Sequence, residues 1–177
     1  MINYEYMIKF IKIFLIIFFL FSKALALEYQ YILNDDCVEN LYSLANLYFR
    51  NSDIFVIKDS RGIILRYYFE NSFEIYDKRT YEMYKNIEKF LAKIENSAII
   101  EVHTRDLQSK NLKNWEISTM LANQVESAMV FPIGLLNKKQ IKSVGYGEFL
   151  PEKNTPNNGG KKKNRVDIII LCNIIGE

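Results

Sequence analysis

The sequence predicts an α+β fold, an α/β two-layer sandwich in which helices pack on one face of a mixed sheet. Two β-rich runs flank a short polar turn, amphipathic helices then alternate with further strands, and the apolar content is sufficient for a core. The chain has 177 residues, 49% hydrophobic and 25% charged, which suits one domain of ordinary size. A net charge of only +2 excludes a whole-molecule field that would draw it to nucleic acid or an anionic membrane. One His and two widely separated Cys do not supply the four closely spaced ligands of a structural zinc site, so neither metal nor cofactor is expected.

The first element is an address. Lys9 and Lys12 precede the unbroken apolar run Ile13 to Phe21, and Ser22-Lys23-Ala24-Leu25-Ala26 follows. A positive start, a short apolar stretch and a small-x-small ending make a secretory signal peptide over 1–26, cleaved after Ala26. The alternative is an uncleaved inner-membrane anchor, which needs about 20 apolar residues. Removing residues 1–26 removes three Lys and one Glu, leaving a neutral mature chain. Export also permits a disulfide between Cys37 and Cys172, the alternative being two separate buried thiols.

Residues 27–52 form an N-terminal helical segment. Asp35 or Asp36 caps it, and Val38, Leu41, Tyr42, Ala45, Tyr48 and Phe49 make its apolar face. Ile54 to Ile57 and Ile63 to Tyr68, separated by Lys58-Asp59-Ser60-Arg61-Gly62, predict a hairpin. Thr80 to Glu95 predicts an amphipathic helix capped by Thr80, with Tyr84, Ile87, Leu91 and Ile94 on one stripe. A strand from Ala98 to Val102 follows, then a polar stretch from His103 to Lys113. The next helix begins near Asn114 and carries Ile117, Leu121, Val125 and Met129 inward. Ile141 to Tyr146 and Val166 to about Cys172 predict the last two strands, separated by a loose segment holding Asn157-Asn158-Gly159-Gly160.

Five phrases in this order carry a resemblance: Ile99-Ile100-Glu101-Val102-His103-Thr104; Asn114-Trp115-Glu116-Ile117-Ser118; Ala122; Val144-Gly145-Tyr146-Gly147-Glu148 with Pro151; and Asn164-Arg165-Val166-Asp167-Ile168. Over residues 53–177 the chain resembles the OmpA-like C-terminal domain family, and Asn-Trp-Glu-Ile-Ser looks most like its MotB branch. The resemblance implies a βαβαβ-type fold that binds the peptide stem of peptidoglycan without cleaving it. It also implies a cell-envelope location, in the periplasm or at the outer membrane. In that family an Asp after His-Thr and an Arg in the following helix hold the zwitterionic head of the stem's diamino acid. Such charge-assisted bonds are about twice as strong as neutral ones.

The chain departs from the pattern at both positions. Arg105 stands where the Asp is expected, with Asp106 one place later, and Leu121 stands where the helix Arg is expected. The ligand-binding set implied is Thr104, Arg105, Asp106, Asn114 and Arg165, with Arg105 supplying the missing guanidinium and Asp106 the anion. His103 reads as a structural histidine oriented by backbone groups, and Trp115 as a staple between helix and sheet. Lys161-Lys162-Lys163 reads as a solvated loop edge, or as a contact for anionic stem groups.

No paired carboxylates in a cleft, and no Ser or Cys beside a positioned His, point to an enzyme. Two functional readings follow. The first is a noncovalent peptidoglycan-binding envelope protein, with other envelope proteins as further partners. The second is an OmpA-like interaction module that keeps the fold and has lost the ligand. A flagellar stator subunit fits the helix phrase but requires a full membrane span bearing an ion-carrying carboxylate, which Ile13 to Phe21 does not provide.

Overall fold

A computed structural model describes residues 35–70, 77–105, 107, 112–131, 134–149 and 164–172. The expected signal segment, Asp106 and the Lys161 to Lys163 run lie outside these residues. Helix α1 covers residues 35–48. Strands β1 (Phe55–Asp59) and β2 (Gly62–Phe69) form the hairpin, and α2 (Lys78–Ile94) leads to β3 (Ala98–His103). Helix α3 (Asn114–Val130), a 3₁₀ turn (Lys138–Gln140), β4 (Ile141–Gly145) and β5 (Asn164–Leu171) complete the described chain.

The sheet order is β1-β2-β5-β3-β4. Strand β5 is antiparallel to both β2 and β3, while β3 and β4 are parallel. The last strand therefore lies in the middle of the sheet, and its Val166, Ile168 and Ile170 are fully buried against the helices. Side chains alternate across a strand, so Ile63, Leu65 and Tyr67 of β2, with Ala98, Ile100 and Val102 of β3, join the same core. Helix α2 contributes Tyr84, Ile87, Phe90 and Leu91, and α3 contributes Ile117, Leu121, Val125 and Met129. Burying a side chain of this size is worth about 1.5–3 kcal/mol. This is the α+β sandwich that the periodicities predict.

Three local findings differ from, or add to, the sequence reading. The cap of α2 is Asp77 rather than Thr80: the Asp77 carboxylate accepts from the Thr80 backbone N–H at 2.7 Å. That bond holds the Asp77 carboxyl below its ordinary range. Strand β5 starts at Asn164, two residues earlier than the apolar run suggests, because pairing with Phe69 continues the ladder. Helix α1 is part of the domain core, with Val38, Leu41, Ala45 and Phe49 in the same cluster as the sheet. Cys37 of α1 is joined to Cys172 beyond β5 by a disulfide, with Cα atoms 5.9 Å apart.

Strand β4 and α3 touch backbone to backbone where the sequence places Gly145. A Cβ built there would lie 2.1 Å from the Thr119 nitrogen, with Ser118 and Thr119 backbone atoms around it. Helix backbone cannot step aside as a flexible side chain can. Gly145→Ala is therefore expected to destabilise the domain by about 1–3 kcal/mol. Urea unfolding checks this, and an unchanged midpoint would contradict the close contact.

Candidate ligand-binding rim

The carboxyl end of β3, the amino end of α3, the turn after β4 and the start of β5 meet at one rim of the sheet. Thr104 is fully buried there. Its backbone N–H donates to the Gly147 carbonyl at 3.1 Å, and its hydroxyl donates to the Asn114 carbonyl at 2.7 Å. Thr104 thus joins the post-β3 loop to both the β4 turn and α3, in a positioning role without exposed surface.

Asn114 opens α3. Its side-chain Nδ2 donates to the Arg105 carbonyl at 2.9 Å and to Glu148 Oε2 at 2.7 Å. The Arg105 N–H donates to Asn164 Oδ1 at 2.8 Å, so Arg105 is held at both its backbone polar groups. Ser118 completes the frame, its Oγ accepting from the Gly147 N–H at 2.8 Å. Gly147 has φ +53°, and a Cβ there would lie 2.9 Å from the Trp115 nitrogen. Glycine is required both by that left-handed backbone and by the close approach. Lys113, at the helix entrance, donates its N–H to Glu116 Oε2 at 2.7 Å, satisfying one backbone donor at the start of α3.

The structure brings Thr104, Arg105 and Asn114 together and adds the Glu148 carboxylate of the Gly-Tyr-Gly-Glu phrase. Asp106 lies outside the described residues. Arg165 is placed elsewhere: it is 7% exposed, on the sheet face away from the helices, and its Nε donates to Asp167 Oδ2 at 3.0 Å. Leu121 is 2% exposed and packed in the apolar core, where it offers no polar group to the rim. Trp115 is 48% exposed, so the expected staple to the sheet is not formed. The correction has a local cause: Trp115 lies at the solvent-facing entrance of α3, two positions before the inward Ile117.

Behind the rim, the sheet face turned away from the described helices carries a buried charge network. Glu101 and Asp167 lie opposite each other on β3 and β5, an arrangement that like charges disfavour unless compensated. Arg66 supplies compensation, donating from Nε to Asp167 Oδ1 at 2.6 Å and from Nη2 to Oδ2 at 2.9 Å. Arg61 Nη1 donates to Glu101 Oε1 at 2.9 Å, and its guanidinium is held above its ordinary pKa chiefly by hydrogen bonding to Asp59. His103 lies within this network, its Nε2 3.7 Å from both Glu101 Oε2 and Asp167 Oδ2. Its ring stacks on Tyr146 at 5.4 Å, and neither ring nitrogen has a hydrogen-bond partner among the described residues. The expectation of a histidine held by backbone groups is corrected accordingly.

Glu101, His103 and Asp167 have the side-chain types of a metal site, with ligand atoms within 4.8 Å of one another. Their charge environment does not suit a cation. Three guanidinium groups, Arg61, Arg66 and Arg165, already face the two carboxylates. A divalent ion would sit beside these guanidinium groups where screening is weak. The network is structural in character: it fixes β2, β5 and β3 to one another behind the rim.

Comparison with family models and with curated proteins gives no match. Solved structures do resemble this one. A putative MotB-like protein from Desulfovibrio vulgaris is 17% identical with a TM-score of 0.62, covering 83% of this chain and 99% of that chain. The periplasmic domain of Helicobacter pylori MotB is 20% identical with a TM-score of 0.55, covering 68% and 82%. The cell wall anchor of the T6SS from Pseudomonas aeruginosa is 12% identical with a TM-score of 0.50, covering 73% and 94%. At these identities the shared property is the fold. The fold is that of an OmpA/MotB-like domain, and the similarity includes MotB periplasmic domains. No helix among the described residues is long and apolar enough to cross a membrane.

Proposed function

We propose that this protein is a noncovalent peptidoglycan-binding component of a bacterial cell envelope, exported by its N-terminal segment and located in the periplasm or at the outer membrane. The observation that carries the reading is the Asn114 junction, where one side chain holds both Arg105 and Glu148 at the rim of an OmpA/MotB-like fold. The buried hydrogen bonds of Thr104, Ser118 and Asn164 fix that rim before any ligand arrives, which lowers the ordering cost of binding. The rim presents the Asn114 amide and the Glu148 carboxylate, groups suited to recognising a polar ligand.

Leu121 favours a second reading, an OmpA-like module that docks on another envelope component and no longer holds peptidoglycan. Its burial removes one polar group that the resemblance assigns to ligand binding. Losing one charge-assisted bond costs roughly 1.5–3 kcal/mol, about ten- to a hundredfold in affinity. Co-sedimentation of the purified protein with isolated sacculi separates the readings. Saturable binding that is reduced by salt is expected for the first, whereas no sedimentation above a protein-only control would overturn it and leave the second.

A further inference from the structure

We infer that Trp115 is a stacking platform for sugar rings, by which this end of the domain holds the glycan of peptidoglycan beside its stems. The inference rests on the peptidoglycan reading above and adds a second chemical class, a pyranose ring, to what the protein recognises. Phe149 forms the second apolar contact, and Glu148 accepts from sugar hydroxyls between the two.

The indole and the phenyl ring have no packing role. Trp115 is 48% exposed, Phe149 is 70% exposed, and neither joins the apolar core. Large aromatic side chains left in water on a fixed surface mark binding sites, because covering them is favourable. Both leave the chain at one place. Asn114 Nδ2 donates to Glu148 Oε2, and Trp115 and Phe149 are the residues that immediately follow those two partners. The Gly147 backbone also lies against that of Trp115. The Trp115 carbonyl accepts from Ser118 Oγ at 2.9 Å and from Thr119 Oγ1 at 2.8 Å, and the Phe149 N–H donates to the Tyr146 carbonyl at 3.1 Å. The backbone of the platform is thus set before a ligand arrives, which lowers the ordering cost of binding. No described residue accepts from the indole N–H, and none donates to Glu148 Oε1.

The carboxylate between the rings selects the occupant. An apolar protein surface docked over both rings would strip water from Glu148 and leave its charge unpaired, which is costly. A sugar ring avoids that cost: its C–H face covers an aromatic ring while hydroxyls at its edge donate to the carboxylate, bonds strengthened by the acceptor's charge. Peptidoglycan stems are attached to such rings, so a rim that meets a stem lies within reach of its sugar.

Trp115 is the chain's one tryptophan, so its fluorescence reports this site alone. Soluble glycan strands, freed of their stems by an amidase, are expected to shift the emission of the full protein to shorter wavelength as the indole loses water. The stem peptides released by the same treatment should leave the emission unchanged. In co-sedimentation with intact sacculi, Trp115→Ala is expected to bind about tenfold more weakly, and Trp115→Phe, which keeps an aromatic face, no more than about threefold. Phe149→Ala should weaken binding and reduce the emission shift. Circular dichroism and melting of each variant establish that the fold is intact. No shift with glycan strands, an equal shift with stem peptides, or unchanged affinity of Trp115→Ala would each overturn the assignment, while wild-type binding to sacculi keeps the peptidoglycan reading in place. Failure of the wild type to bind sacculi would overturn that reading itself, and this assignment with it.

Discussion

Asp167→Asn is expected to cost about 3–5 kcal/mol of stability, among the largest effects of any single polar substitution in the domain. The side chain is 4% exposed and accepts from Arg66 and Arg165. The amide is nearly the same size, so no cavity forms, but the negative charge that compensates the two guanidinium groups disappears. Its nitrogen would also face donors instead of accepting from them. Removing one member of a buried pair leaves uncompensated charge in a region of weak screening, and that penalty exceeds the net value of the original pair. The comparison is Glu39→Gln, which breaks an ion pair with Lys58 whose side chains are 44% and 61% exposed. There a change below about 1 kcal/mol is expected. Urea unfolding followed by far-UV circular dichroism measures both, and similar midpoints for the two variants would refute the claim that the network is buried and mutually compensated.

Loss of the Cys37–Cys172 disulfide is the second large effect. The bridge joins residues 135 positions apart and ties α1 to the chain end beyond β5. Closing so long a loop restricts the unfolded ensemble strongly, and removal of such a bridge typically costs about 2–5 kcal/mol. Replacing both cysteines by Ser is therefore expected to lower the melting temperature by roughly 5–15 °C. The fold should persist, because Val38, Leu41, Ala45 and Phe49 still pack in the core. Reductant should lower the melting temperature of the wild type and leave the double Ser variant unaffected. Equal melting with and without reductant, together with unchanged gel mobility, would show that the bridge is absent from the protein as isolated.

The elements were legible in the sequence because periodicity is a local property. Tyr84, Ile87 and Leu91 mark the inward stripe of α2, and Ile117, Leu121, Val125 and Met129 that of α3, all of them buried. The hairpin was equally plain from two β-rich runs and a polar turn. Part of the candidate rim was legible too, since Thr104 and Asn114 fall in phrases that resemble one family and Arg105 directly follows the first of them. Arg165 was misplaced for a geometric reason. Its direction depends on the register of β5 between β2 and β3, and strand alternation turns it to the face away from the helices. The bond between Glu148 and Asn114 was not legible, because the two lie 34 positions apart, a separation that local spacing does not relate to contact.

By itself the sequence determined an α+β chain with a charged-then-apolar N-terminal run, two inward helix stripes and a set of polar residues at strand and helix ends. Those follow from the period of apolar residues and from the chemistry of short motifs. Only the tertiary structure decided that α1 shares the core, that Cys37 meets Cys172, and that Asn114 holds Arg105 beside Glu148. It also decided that Glu101 and Asp167 lie side by side with Arg66 and Arg165 around them. The physical reason is common to these cases: the sequence order 1-2-3-4-5 becomes the spatial order β1-β2-β5-β3-β4, so the last strand supplies the centre of the sheet and brings distant charges together.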